Sequence, residues 1–169
     1  FEAIHPFIDG NGRLGRLLVT LFLAERRVLP QPLLYLSAFF ERHREAYYDG
    51  LLRVSTNGDW NTWISLFLRG VRSQAREAVK RMQTLLDLKT AYMEIAKAHG
   101  RAAAGSFRLV EALFQSPATT TRRVQADLGV TFPAAQKAID RWIAAGVLEE
   151  VTGQQRGRIY LAKEIIRLI

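Results

Sequence analysis

The sequence predicts a mainly α-helical protein with a small β-hairpin near its C-terminus. Apolar residues recur every three or four positions through most of the chain, which is the spacing of one face of an α-helix. Prolines, glycines and capping residues separate these stretches into successive helices. Residues 147–151 and 158–161 are instead short segments joined by a loop that contains two glycines, a pattern typical of paired strands.

The first element is a glycine-containing turn that leads into a helix. It is formed by the string HPFIDGNGRLGR, and leucines follow it at helical spacing. Gly10 and Gly12 flank Asn11, so we expect the backbone N–H groups here to form an anion-binding concavity at the positive end of the helix dipole. Arg13 and Arg16 share one face of that helix end, where guanidinium groups can hold phosphate oxygens. These residues predict a phosphate site.

Two side chains next to this phosphate site are candidates for metal binding and for catalysis. Asp9 would repel bound phosphates unless a Mg²⁺ ion lay between them, so Asp9 is the candidate metal ligand. His5 is the candidate general base, because a histidine imidazole can take the proton from an attacking hydroxyl. Together with the arginines, they predict in-line transfer of a phosphate-containing group from a nucleotide.

Other interpretations of the glycines fit the sequence less well. The letters GNGRLG also satisfy a dinucleotide-binding pattern, but a charged, proline-containing string precedes them where an apolar strand is needed. No Gly-Lys-Ser/Thr follows, which excludes a P-loop. A chance glycine turn at an ordinary helix N-terminus is the remaining alternative.

The string HPFIDGNGRLGR matches every position of the Fic family signature, H-x-F-x-[D/E]-G-N-G-R-x-x-R, and the chain therefore resembles Fic proteins. The resemblance implies an adenylyltransferase that moves AMP from ATP to a Ser, Thr or Tyr hydroxyl of a target protein and releases pyrophosphate. By position, the resemblance implies that His5 is the general base and that Asp9 is the Mg²⁺ ligand. It implies that Gly10, Asn11 and Gly12 form the anion hole and that Arg13 and Arg16 contact the triphosphate. Phe7 would be buried and would orient the loop.

The resemblance has two further implications. In the family, several helices and a hairpin flap precede this motif, so we expect the chain to be the C-terminal part of a Fic domain. Tyr47 and Tyr48 resemble a tyrosine pair near the nucleotide, and Asn57 is a candidate for the rim of the pocket. Helix packing is an equally good interpretation of both tyrosines.

Proline, capping and glycine residues delimit the helices that follow. We expect the first helix to run from about Arg13 until Pro30 and Pro32 stop it. Ser37 is expected to cap the next helix, which runs through Tyr47, Tyr48, Leu51 and Leu52. Asp59 is placed to cap a long helix with a kink at Gly70, and residues 88–98 predict one more helix. Residues at helical spacing in the long helix are expected to form core: Trp60, Trp63, Ile64, Phe67 and Leu68.

The string RAAAGS at residues 101–106 predicts a linker between a domain at residues 1–100 and a second at residues 107–169. In the second domain, helices are expected at residues 107–116, 121–128 and 133–145, followed by the hairpin. A helix-turn-helix followed by a hairpin is a winged helix. The expected buried face of its third helix is Ala135, Ile139, Trp142 and Ile143.

The winged helix carries polar side chains that could contact DNA or a protein partner. These candidates are Gln136, Lys137 and Arg141 on the outer face of the third helix, and Arg156 and Arg158 in the wing. Asp140, in the middle of that face, argues against DNA. Contact with a partner, including a second copy in a homodimer, is the alternative, because a fold does not fix a function.

Composition sets the remaining bounds. The chain has 169 residues, of which 49% are hydrophobic and 24% are charged, and a net charge of +8. It has no cysteine, which excludes disulfides and thiol catalysis, and we expect a cytoplasmic bacterial protein. No apolar run approaches the ~18 residues of a membrane span, so no membrane association is expected.

Two functions of different classes follow from the sequence. The first is a Mg²⁺- and ATP-dependent protein adenylyltransferase whose winged helix positions targets or partners. The second is a winged-helix DNA-binding regulator in which the Fic loop senses a nucleotide or is vestigial. Within the enzyme class, transfer of another phosphate-containing group or removal of AMP would use nearly the same loop.

Overall fold

The structure is a computed structural model that describes residues 1, 4–29 and 34–169. Within these residues the chain forms eight α-helices and three short strands, which confirms the predicted fold class. The helices are α1 (Asn11–Glu25), α2 (Leu36–Arg42), α3 (Arg44–Asn57), α4 (Trp60–Ala98), α5 (Ala103–Gln115), α6 (Thr121–Leu128), α7 (Phe132–Ala144) and α8 (Lys163–Leu168). The strands are β1 (Ala118–Thr120), β2 (Glu149–Glu150) and β3 (Ile159–Leu161). In the described part of the chain, no helix has both the length and the apolar character to cross a bilayer.

The chain divides into two compact units, Phe1–Lys80 and Arg81–Ile169, and the division falls within α4. It differs from the linker expected at residues 101–106. Those residues are helical, since Gly100–Ala102 forms a 3-10 turn and α5 begins at Ala103. Ser106 is buried, and its hydroxyl lies 2.8 Å from Nδ1 of His99. This segment is therefore part of a packed unit.

The core of the first unit is formed by α2 and α4, with α1 and α3 contributing half-buried side chains. Its buried apolar residues are Leu34, Leu36, Phe39, Phe40 and Leu66. Val19 and Leu23 of α1 pack against this core, and the Thr20 hydroxyl donates to the Leu34 carbonyl at 3.0 Å. These contacts fix the side of α1 that faces the core, and thereby the orientation of its N-terminal end.

The ends of α1, α2 and α3 differ from the expected ones. The first helix begins at Asn11 and ends at Glu25, well before Pro30 and Pro32, which lie outside the described residues. Arg27 adopts a left-handed φ of 58° and the Val28 N–H donates to the Leu23 carbonyl at 2.9 Å, an arrangement that satisfies the helix end. Ser37 is not the N-cap of a single helix, because α2 already begins at Leu36 and ends at Arg42, and α3 begins at Arg44.

Helix α4 runs without a break from Trp60 to Ala98, so residues 88–98 continue it. Gly70 does not interrupt the helix. A Cβ atom at Gly70 would lie 2.8 Å from Cδ1 of Phe39, so this glycine allows the buried ring to approach the helix backbone closely. At the start of α4, the Asp59 carboxylate accepts from the Thr62 N–H at 3.1 Å. Hydrogen bonding from the Thr62 side chain, and then from its N–H, holds the pKa of Asp59 below its usual value.

The apolar face of α4 is only partly covered in the first unit. Leu66 is buried, and Trp63 and Phe67 are half-buried against the core. The expectation of a fully buried face was wrong for Trp60, Ile64 and Leu68, whose side chains are exposed. The spacing placed these residues on a helix correctly, but burial depends on which other elements pack there.

The second unit contains the C-terminal part of α4, helices α5 to α8 and the small sheet. The sheet is antiparallel in the order β1-β3-β2, with Thr119 opposite Tyr160 and Glu150 opposite Tyr160 on the other side. Helices α6 and α7, joined by a short turn at Gly129, precede the hairpin of β2 and β3, as the sequence predicts. Thr120 caps α6 by accepting from the Arg123 N–H at 3.2 Å.

The core of the second unit is centred on α5 and α7. Its largest buried side chains include Trp142, Tyr92, Tyr160, Leu109, Leu113 and Ile139. Ala135, Ile139 and Trp142 are buried as expected, but Ile143 is exposed and Ala138 is buried in its place. Residues 135, 138, 139 and 142 follow the i, i+3, i+4, i+7 spacing of one helix face. Residue 143 lies outside this face.

Candidate functional site

The loop before α1 is held by a single buried amide. Asn11 is only 3% exposed, and its side-chain nitrogen donates to the Phe7 carbonyl at 2.6 Å. The oxygen of the same amide accepts from the Phe7 N–H at 3.0 Å. Gly10 lies between them with a left-handed φ of 85°, a conformation in which a side chain would be strained. Asn11 therefore closes the turn and fixes residues 7–10 against the start of the helix.

The N-terminal end of α1 presents free backbone donors. The Leu14 N–H makes the first bond of the helix ladder, to the Gly10 carbonyl at 3.0 Å. The N–H groups of the three preceding residues point out of the helix end and are available to an anion. One glycine, rather than two, makes the turn, because Gly12 is already helical. A Cβ at Gly12 would lie 3.4 Å from Nη1 of Arg16, so Gly12 instead leaves room for that guanidinium.

Asp9 and Arg13 form an exposed ion pair beside this helix end. Oδ2 of Asp9 lies 2.9 Å from Nη2 of Arg13, and Oδ1 accepts from the Gly10 N–H at 2.6 Å. No three potential metal-ligating side chains cluster among the residues described. Asp9 nevertheless fits Mg²⁺, which proteins often hold with one or two carboxylates while phosphate and water oxygens supply the remaining ligands.

Arg16 is the best-anchored charge at the site. Its Nε donates to the Ser37 hydroxyl at 3.1 Å, and its guanidinium carbon lies 5.8 Å from the centre of the Tyr47 ring. Both contacts leave terminal nitrogens of the guanidinium available to a ligand. The sequence did not suggest this role for Ser37, because the serine was interpreted as a helix cap.

Arg16 lines three clefts, of about 770, 730 and 120 Å³. The first of them is also lined by Arg13, Ser37, Tyr35 and Arg42. Its volume is in the range of small-molecule sites, ~300–1,000 Å³. Arg42 lies here with both carboxylate oxygens of Glu77 within 2.8 and 3.1 Å of its Nη2, a contact that lowers the pKa of Glu77.

The smallest of these three clefts, of about 120 Å³, is lined by Arg16, Arg44 and both tyrosines of the predicted pair. Tyr47 is half-buried with its ring 4.8 Å from that of Phe40, so it packs in the core and also contacts Arg16. Tyr48 is exposed. Asn57 is exposed at the end of α3 and lines none of these three clefts.

His5 and Phe7 are both exposed, which for Phe7 contradicts the expected burial. The Phe7 side chain is 51% exposed, and its ring contacts that of Phe1 with the ring centres 6.4 Å apart. The loop is oriented through the Phe7 backbone, by the amide of Asn11, and does not depend on burial of the ring. His5 has a left-handed φ of 49°, and its N–H donates to the Phe1 carbonyl at 3.0 Å.

The candidate DNA or partner residues of the second unit fall into two groups. Gln136, Arg156 and Arg158 line one cleft of about 640 Å³, whereas Lys137 and Arg141 are exposed on α7 outside it. Gln136 was expected to point outward, but its oxygen accepts from the Thr121 hydroxyl at 2.9 Å. It therefore links α7 to α6.

Comparison with known proteins agrees with the motif. Residues 1–23 match the model of the Fic/DOC family. A segment of 51 residues is 47% identical to a probable protein adenylyltransferase of Aquifex aeolicus (strain VF5), and the match covers 30% of this chain and 13% of that protein. The chain thus spans only a small part of the relative that it matches. The motif and these two matches make the N-terminal part of the chain similar to Fic/DOC proteins.

Proposed function

We propose that the protein is a Fic-type protein adenylyltransferase, which transfers AMP from ATP to a hydroxyl side chain of a target protein. The observation that carries the proposal is the geometry at the start of α1, where free backbone N–H groups, Arg13 and Arg16 surround one helix end. A helix N-terminus with two guanidinium groups suits a polyphosphate. The name of the Aquifex relative supports the same activity.

In the proposed reaction, the target hydroxyl oxygen attacks the α-phosphorus of ATP. A P–O bond forms to the target, the P–O bond to the β-phosphate breaks, and pyrophosphate leaves. His5 takes the hydroxyl proton, since it precedes the phosphate-binding turn and its side chain is exposed to an incoming substrate. Arg13 and Arg16 neutralise the charge that accumulates on the leaving pyrophosphate.

A Mg²⁺ ion bound with the nucleotide would be held by Asp9 and phosphate oxygens, and would screen the negative charge of the phosphates. The chain's own contribution is to present the Asp9 carboxylate at the edge of the turn, where the Gly10 N–H and Arg13 orient it. When Arg13 engages phosphate, its ion pair with Asp9 can open, because both groups are exposed and such a pair contributes little.

The test is transfer of label from ATP. Purified protein is incubated with Mg²⁺, a cell lysate and ATP that carries the label on either the α- or the γ-phosphate. We expect a protein to be labelled from the α-position, and the signal to be lost when His5→Ala is used. Label from the γ-position alone would instead establish phosphate transfer and overturn the proposal.

Binding and chemistry are separated by measuring nucleotide affinity of the same variants. His5→Ala should retain ATP affinity, because a general base contributes ~10²–10⁴-fold to the chemical step and little to ground-state binding. Arg16→Ala should weaken binding, whereas Arg69→Ala, an exposed arginine on α4, should not. Equal loss of affinity in His5→Ala and Arg16→Ala would contradict the role assigned to His5.

A further inference from the structure

We propose that the cleft between α6, α7 and the wing binds a single strand of nucleic acid, with its phosphates at Arg122 and Arg156 and a base against the ring of Phe132. This cleft lies wholly within the second unit and has a volume of about 640 Å³, enough for a nucleotide. The inference is independent of the proposed enzyme activity, since no residue of the first unit takes part.

The cleft combines three positive charges with little opposing charge. Arg122, Arg156 and Arg158 all line it, and all three side chains are exposed. For Arg122 and Arg156, no ion pair or hydrogen bond occurs within the described part of the chain. Arg158 donates from Nε to the Gln154 carbonyl at 2.9 Å, which fixes its direction and leaves its terminal nitrogens available.

The Glu150 carboxylate, in the wing, is held by hydrogen bonds within the protein. Glu150 accepts from the Thr152 N–H at 2.8 Å and from the Gly153 N–H, so its oxygens face the turn of the wing. The Thr152 contacts hold the pKa of Glu150 below its usual value, and the attraction of Arg158 contributes less. Glu150 therefore reduces the positive potential at Arg158 without neutralising Arg122 or Arg156.

An exposed aromatic ring stands among these arginines. Phe132 begins α7, is about half exposed and lines the same cleft. Thr120 and Thr121, at the start of α6, line the cleft as well, so the positive ends of two helix dipoles border it. An aromatic ring next to guanidinium groups is the chemistry by which single strands are bound, because bases stack on the ring while phosphates meet the charges.

The outer face of α7 is, by contrast, poorly equipped to read the grooves of a duplex. The nitrogen of Gln136 donates to Oδ1 of Asp140 at 2.9 Å, and its oxygen is bonded to Thr121. The amide is thus committed within the protein, and the exposed Asp140 would face the phosphates of a duplex laid along this helix. Lys137 and Arg141 remain on that face, which makes them the residues that distinguish the two modes of binding.

The test measures fluorescence anisotropy of a labelled oligodeoxythymidine of about 12 nucleotides, within the ~4–16 nucleotides that a single-strand site covers. The same measurement is made with a duplex of equal length. We expect tighter binding of the single strand, about tenfold weaker binding for Phe132→Leu, and a salt dependence whose slope falls by about 0.7 for Arg122→Gln and for Arg156→Gln. Lys137→Gln and Arg101→Gln serve as matched charge controls and should change the affinity less than about twofold.

Three results would overturn the proposal. Tighter binding of the duplex, with Lys137→Gln as harmful as Arg122→Gln, would place nucleic acid along α7. Displacement of the oligonucleotide by polyglutamate at equal charge concentration would indicate a site for acidic protein segments. Absence of binding at low salt, where electrostatic contacts are strongest, would leave no role for the cleft in nucleic-acid binding. If Phe132→Leu lowers the melting temperature, the two arginine variants alone decide the question.

Discussion

Replacing Asn11 is expected to loosen the motif loop. In the structure its amide donates to the Phe7 carbonyl at 2.6 Å and accepts from the Phe7 N–H at 3.0 Å, in a buried position. A hydrogen bond contributes about 1 kcal/mol net, so Asn11→Ala should destabilise the closed loop by about 2 kcal/mol, or about 30-fold. Asn11→Asp keeps an acceptor for the Phe7 N–H but loses the donor, so we expect about 1 kcal/mol, or roughly fivefold.

Hydrogen exchange at the Phe7 amide measures this opening directly, because that N–H donates to the Asn11 side chain. We expect its exchange to accelerate in the order wild type, Asn11→Asp, Asn11→Ala. Asn61→Ala, in an exposed position on α4, is the matched control and should leave the rate unchanged.

The reasoning is refuted if Asn11→Ala accelerates exchange at Phe7 by less than about threefold, since the two bonds would then contribute less than a single ordinary hydrogen bond. It is also refuted if the alanine and aspartate variants exchange at the same rate, because the donated bond to the Phe7 carbonyl would then have no part in closing the loop.

The remaining predictions concern packing, titration and anchoring. Gly70→Ala should lower the free energy of unfolding by ~1–3 kcal/mol, because its Cβ would lie 2.8 Å from a buried ring, whereas Gly105→Ala should be neutral or stabilising. Denaturant titration measures the free energy of unfolding of both variants, and equal values would contradict the close packing at Gly70. Burial lowers the pKa of His99 below its ordinary 6.5, so the unfolded chain binds that proton more tightly and stability should decline as the pH falls below 6.5; urea titrations on either side of that pH should show a smaller decline in His99→Asn. Ser37→Ala should weaken ATP binding up to about tenfold with an unchanged melting temperature, because Arg16 loses its anchor, and Ser37→Thr should restore the affinity.

Local features of the sequence were sufficient to predict most of the elements. The glycine turn and the helix behind it are present, and α6 has the expected bounds because Thr120 caps its start and Gly129 ends it in a left-handed conformation. The order of helices and hairpin in the second unit was likewise predictable. Each of these features depends on residues close to one another in the chain.

Features that depend on tertiary contacts could not be predicted. Phe7 is exposed because the loop is held through its backbone, and Ser37 contacts a side chain that lies far from it in the sequence. Gly70, where a kink was expected, instead allows the Phe39 ring to pack closely against the helix backbone. Gln136 faces inward because Thr121 of a neighbouring helix offers it a partner. In each case, helical spacing defines a face but does not identify what covers it.

The contacts of Arg16 divide its guanidinium into two edges. One edge, through Nε, donates to the Ser37 hydroxyl, while the terminal nitrogens keep donors available to a ligand in the clefts that Arg16 lines. A planar group with five donors can serve the protein and a ligand at the same time, and it does so in a fixed plane. A lysine ammonium in this position would carry the same charge, but it lacks the planar group that contacts Ser37 and a ligand at the same time. Under the proposed function, the shape of the Arg16 side chain therefore contributes as much as its charge.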